Sequence, residues 1–220
     1  MNEQQFTKLS QDLRTLAKMI PLHWGSIQND RFDSNINMFQ IHSFEELEQA
    51  IQGLAPNIQN YFRRRWYLWK CAQCDEYLFN INPNVEPNPN PRDQSYDIMF
   101  DGHLKFDVKG TVIPRAFRGD VEKCMSNPEP MIDFFYNQQS RGVRHAFQNR
   151  LFIVHHSFIQ PEREFFLRCA WGSKQNIYKI FSDNISNIQF REFKGCKSGV
   201  IYILERELNK VSFEIDGLRI

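Results

Sequence analysis

Tyr96-Asp97-Ile98-Met99-Phe100-Asp101-Gly102-His103-Leu104-Lys105-Phe106-Asp107-Val108-Lys109 is the stretch whose reading decides this chain. Two alternating runs flank an Asp-Gly turn signal, which describes a β-hairpin with arms from Ser95 to Phe100 and from His103 to Ile113. The turn length sets the pairing. A two-residue loop at Asp101-Gly102 would oppose Ile98 to Lys105 and Tyr96 to Asp107, so each apolar side chain would share a face with a charge. A three-residue loop, Phe100 to Gly102, opposes Ile98 to Leu104 and Tyr96 to Phe106 and collects the apolar residues. It also uses Gly102 in the left-handed region after a type I turn. The same register puts Asp97, Asp107 and Lys109 on the opposite face, the two Asp diagonal and ~7 Å apart at the backbone.

Two carboxylates at that separation repel unless a cation lies between them. Hard oxygen ligands without a His or Cys cluster suit Mg²⁺ or Mn²⁺. Such an ion can orient a phosphodiester, neutralise its developing charge and acidify an attacking water, while Lys109 positions that water or the phosphate. The competing reading is a hairpin with one wet face, whose charges at Asp97, Lys105, Asp107 and Lys109 are simply solvated.

Working outward, Gln4 to Ile20 carries Phe6, Leu9, Leu13, Leu16, Ala17 and Ile20 at helical spacing, an amphipathic stripe. Ser43-Phe44-Glu45-Glu46 has the form of a capping box and opens a helix to about Leu54. Pro56 interrupts, and a longer helix is predicted from about Asn57 to Leu78. Asn80 to Arg92 holds four Pro and five Asn without periodicity and reads as loop. Asn127-Pro128-Glu129 predicts a helix from Pro128 to Arg141 that stops at Gly142. Leu151-Phe152-Ile153-Val154 suits a central strand buried on both faces. The last third reads as strands near Glu164 to Trp171, Ile188 to Phe193, Val200 to Leu204 and Val211 to Ile215, with a helix near Lys174 to Phe181.

The order of elements and the hairpin acids resemble the PD-(D/E)XK nuclease superfamily. In it, an acid on one strand and a D-x-K or E-x-K on the next form the metal site, often with a Glu from a preceding helix. The resemblance covers residues 57 to 156. It implies an α/β fold with a restriction-endonuclease-like αβββαβ core, a mixed central sheet flanked by helices, after an N-terminal helical segment (1–56) and before a β-rich C-terminal extension (157–220). It places Asp97 first and Asp107-Val108-Lys109 as the D-x-K, with the Val108 carbonyl as a further metal ligand. Tyr96, not Pro, precedes Asp97. Glu76 continues the stripe Phe62, Trp66, Trp69 and Gln73 and is the candidate helical acid for catalysis and metal binding, with Asp75 in reserve. Gln139, on the helix after the hairpin, is the candidate supporting residue.

The resemblance implies a Mg²⁺- or Mn²⁺-dependent endonuclease, with DNA as the expected substrate, RNA as the other nucleic acid, and a homodimer as a common form. The rival is a non-catalytic nucleic-acid-binding or scaffold protein that retains a nuclease-like fold. Local basic groups fit either: Arg63-Arg64-Arg65 with Lys70, Arg115 and Arg118 beyond the lysine strand, and Arg141, Arg144, His145 and Arg150 around the next helix's end. Arg115, Arg118, Arg141 and Arg144 are the candidate phosphate contacts. Arg63 to Arg65, at consecutive helix positions, cannot all face one ligand.

Composition bounds these readings. The chain has 220 residues, 27 Lys plus Arg against 26 Asp plus Glu, and 20 Phe with four Trp. This is enough to fill a core and leaves no net charge that would itself indicate a polyanionic partner. Without a basic n-region and apolar h-region, or a long apolar run, a cytoplasmic protein away from membranes is expected. Five cysteines, of which only Cys71 and Cys74 are close, fit reduced thiols. A zinc site would need a second C-x-x-C. His155 and His156 end the buried strand, where one would face inward. No phosphate-loop motif is present.

Overall fold

The computed structural model describes residues 1–20, 30–33, 36–90, 93, 95–138 and 148–219. They gather in two compact units, Met1–Tyr77 and Leu78–Ile220. The first is helical. α1 (Glu3–Met19) starts at a reciprocal cap, in which Asn2 Oδ1 accepts from the Gln5 N–H and the Gln5 side chain accepts from the Asn2 N–H. Its predicted stripe is buried at Leu9, Leu13, Leu16 and Ala17. A single turn, α2 (Asp30–Asp33), precedes α3 (Phe44–Ile51). The Ser43 hydroxyl caps α3 by accepting from the Glu46 N–H at 3.2 Å, and the Glu46 carboxylate accepts from the His42 N–H at 2.7 Å. α4 (Pro56–Asn80) begins on Pro56, because the first helical turn needs no proline N–H.

The second unit is α/β and is built on a mixed sheet. Its strands are β1 (Val85–Pro87), β2 (Ile98–Phe100), β3 (Leu104–Val112), β4 (Arg150–Ser157), β5 (Arg191–Phe193), β6 (Cys196–Glu207) and β7 (Lys210–Ile215). The order is β1-β2-β3-β4-β6-β5, with β7 also on β6. β3, β4 and β6 are mutually parallel neighbours, and the other pairings are antiparallel. Every residue of β4 is buried, as its apolar run predicts for a central strand.

Helices cover both faces. α5 (Val121–Ser126) and α6 (Glu129–Gln138) follow β3, and Met131, Ile132, Phe135 and Tyr136 of α6 join one core cluster with Phe152, Val154, Val200 and Tyr202. α7 (Glu164–Leu167) and α8 (Trp171–Asp183) follow β4. On the other face Phe100 meets Phe106 and Phe181, and Phe79 in the last turn of α4 stacks on Tyr178 at 4.0 Å. Among the described residues no helix is long and apolar enough to cross a membrane.

Four expectations are corrected. The hairpin loop has three residues, but they are Asp101 to His103: Phe100 pairs with Leu104, and Ile98 pairs with Phe106 instead of Leu104. The loop slides by one because Phe100 as a ladder residue is fully buried against Phe79, Phe106 and Phe181, whereas in the loop its ring would be wet. Asp101 as well as Gly102 takes positive φ, 48° and 69°, and the His103 N–H donates to the Phe100 carbonyl. Second, the Asn/Pro stretch is not all loop: β1 lies within it, with Pro87 tolerated because β1 is an edge strand. Third, Glu164 to Trp171 forms no strand: a 3₁₀ turn at Pro161 leads into α7, a turn at Arg168 and Cys169 follows, α8 starts at Trp171, and buried Glu164 is held by Arg118 and His156. Fourth, α5 was not foreseen; Asp120 caps it by accepting from the Lys123 N–H.

Candidate metal centre

β3 places the site. Its residues alternate, so Phe106 enters the core with Phe100 while Asp107 and Lys109 take the face that α6 covers. The one-step slide of the loop keeps this division, because each arm moves by a whole pair. Asp97 lies just before β2, where its N–H donates to the Phe106 carbonyl at 2.8 Å and its carbonyl accepts from the Asn88 N–H at 3.0 Å. Asn88 Nδ2 also donates to the Tyr96 carbonyl at 2.8 Å. These bonds turn the chain out of the ladder, and Asp97 Oδ2 accepts from the Val108 N–H at 2.7 Å. In an extended residue N–H and C=O point to the same strand edge, so the Val108 carbonyl faces the Asp97 side as well.

Asp107 is buried, and its Oδ1 accepts from the Lys109 ammonium. Its Oδ2 is 3.5 Å from Arg150 Nε. Burial, and after it the neighbouring Asp107 charge, pushes the Asp97 carboxyl up to about 6, against the pull of Lys109 and the Val108 N–H. When protonated, Asp97 shares its proton with Asp107, which raises it further. Asp97, Asp107 and Lys109 therefore converge as the sequence predicts, although the paired register ends at Ile98 and Phe106, so the two acids are not the diagonal ladder pair that the sequence suggests. Asp107 also has a cation at each carboxylate oxygen, Lys109 at Oδ1 and Arg150 at Oδ2.

Arg150 is the residue that sequence reading failed to assign to the site. It is the register partner of Asp107 across β3 and β4 and of Ser198 across β4 and β6. Its guanidinium lies 4.7 Å over the Tyr136 ring of α6. The Tyr136 hydroxyl donates to the Gln148 carbonyl and accepts from Ser198 Oγ, and burial pushes it up to about 12. Only the alignment of the buried run with the hairpin, which the sequence does not specify, could have found this row.

Glu76 is partly buried on α4 in the N-terminal unit, beside buried Asp75. Arg115 is exposed beyond the C-terminal end of β3. Arg118 is committed: both its terminal nitrogens bind Glu164, and its Nε donates to the Ile113 carbonyl. Gln139, Arg141 and Arg144, with His145, lie outside the described residues. Arg63 pairs with Glu48, Arg65 with Asp33, and Arg64 is buried.

Both histidines are buried, not one. His155 Nδ1 faces the Thr111 carbonyl at 3.0 Å, with burial and then Lys174 and Arg168 holding it well below the usual imidazole range, and His156 Nδ1 is 2.8 Å from Glu164. All five cysteines are buried, and none of them forms a disulfide. Among the described residues no group of three or more His, Cys, Asp and Glu gathers as a metal cluster. No protein-family model, curated protein or solved structure matches the chain.

Proposed function

We propose that the chain is a divalent-metal-dependent nuclease that hydrolyses phosphodiester bonds, with DNA as its substrate. The observation that carries the reading is the convergence of Asp97, Asp107 and Lys109 on one face of the hairpin, with the Val108 N–H on Asp97 Oδ2. The passage from α4 through β1, β2 and β3 to α6 and β4, with β4 parallel to β3, agrees with the core order of the PD-(D/E)XK superfamily.

The oxygen donors fit Mg²⁺ or Mn²⁺: two close carboxylates, one of them raised to about 6 by burial and by the charge of the other, and a backbone carbonyl. Asp97, Asp107 and Val108 would hold the ion, and all three belong to the C-terminal unit. Once bound, it would supply a Lewis acid for the phosphate oxygen and a water of lowered pKa. Asp97 is kept on the site by the Val108 N–H and the Asn88 clamp. Lys109, whose side chain is 35% exposed, can exchange Asp107 for an incoming phosphate.

One observation favours the rival, a binding or scaffold protein of nuclease-like fold: Lys109 and Arg150 already neutralise Asp107. Incubating plasmid, single-stranded DNA and RNA with Mg²⁺, beside Lys109→Ala, separates the two. The nuclease reading expects DNA cleavage that chelation abolishes and that Lys109→Ala lowers by 10² or more while circular dichroism is unchanged. No cleavage of any substrate would leave the binding reading.

A further inference from the structure

We infer that Arg150 serves this site as a resident second cation, so that the site takes a single divalent ion and holds it well only together with a phosphodiester anion. The inference rests on the metal-dependent reading of the hairpin and extends it to Arg150, to stoichiometry and to the coupling between ion and substrate.

The position of Arg150 is set by the sheet. It opens β4 directly beside Asp107, so the guanidinium is delivered by strand pairing. The side chain is 7% exposed, its guanidinium carbon lies over the Tyr136 ring at 4.7 Å, and Nε is 3.5 Å from Asp107 Oδ2. Lys109 stands on Oδ1 of the same carboxylate. Asp107 is thus flanked at both oxygens by cations, of which the guanidinium cannot be discharged in a protein.

Charge counting gives the consequence. Asp97 and Asp107 balance Lys109 and Arg150, leaving the four-residue site neutral when both acids are ionised. A single divalent ion makes it doubly positive, which a phosphodiester and a hydroxide, each singly negative, return to neutral. A second divalent ion would find no further carboxylate, since no group of three or more such ligands forms among the described residues. Arg150 therefore opposes the lone ion and favours the ion with its anion. By linkage the phosphodiester and the metal strengthen each other's binding by the same factor.

A structural role predicts the opposite sign. If Arg150 only steadied Asp107, its loss would loosen the carboxylate and weaken metal binding. Titrating Mn²⁺ calorimetrically into the full chain at pH 7.5 distinguishes them. The wild type should bind one ion; Arg150→Gln should bind it roughly tenfold more tightly, because a unit charge opposing a divalent ion at close range is worth at least that even in a high dielectric; Arg150→Lys should bind like the wild type.

Diethyl phosphate, a singly charged phosphodiester, should tighten Mn²⁺ binding to the wild type and do so less in Arg150→Gln. This wild-type arm stands even if Arg150→Gln fails to fold. Weaker or unchanged Mn²⁺ binding in folded Arg150→Gln, two ions per chain, or no effect of diethyl phosphate overturns the inference and leaves the metal site standing. A wild type that binds no Mn²⁺ overturns both.

Discussion

At Asp97 two demands collide: the Asn88 clamp and the Val108 N–H hold the carboxylate in place, while burial and Asp107 resist its charge. Its folded pKa, about 6, stands above the ordinary carboxylate value of 3.8. Below pH 4 the acid is protonated in both folded and unfolded chains and costs nothing. Between pH 4 and 6 the unfolded chain ionises first, so stability falls as pH rises, and above 6 the full cost persists. Asp97→Asn should therefore stabilise the metal-free protein at pH 7.5, on the order of 2 kcal/mol after screening. The gain should vanish at pH 4, as read by urea unfolding at the two pH values. An equal gain at both would mean that charge is not the cause. Asp107→Asn should not share the gain, because it strips buried Arg150 of a charged partner. Asp97, Asp107 and Lys109 were legible because hairpin parity follows from alternation alone. Arg150 was not, because parallel pairing across a helical crossover leaves no local trace of register.

Among the elements, the hairpin shows how a ring can choose between two loops of equal length. The loop placed at Phe100 to Gly102 leaves Phe100 outside the ladder; the one observed buries it completely. Phe100→Ala should then cost about 3–5 kcal/mol. Phe166, 38% exposed on α7, should cost under about 1 kcal/mol on the same change. Denaturant midpoints at unchanged m-value measure both, and a small loss at Phe100 would restore the loop read from the sequence. The misread elements share a cause. Glu164 to Trp171 carries three apolar residues in a row that suit a strand locally, yet the Arg118–Glu164–His156 group holds the start of the segment, where α7 turns as helix through Leu167. β1 escaped notice because three residues at a sheet edge, one of them proline, need little of the sequence signal that marks a strand.

For the molecule as a whole, the apolar run of β4 foretold the middle of the sheet, whereas the division after Tyr77 falls inside α4 and interrupts no periodicity. Strand β4 is buried in every residue and paired on both sides, so its amides should exchange only on global unfolding of the second unit. Exchange followed by mass spectrometry should find β4 last and β1 among the first; comparable rates in the two would contradict that ordering. The edge strand β1 matters in another setting. A sheet margin invites a stranger's backbone, and in a crowded solution that invitation is how ordered aggregates begin. With Pro87 at its end β1 offers no N–H at that position, and the Asn88-Pro89 pair that follows does not lengthen it into a template. The composition that reads as mere loop also guards the sheet against recruitment.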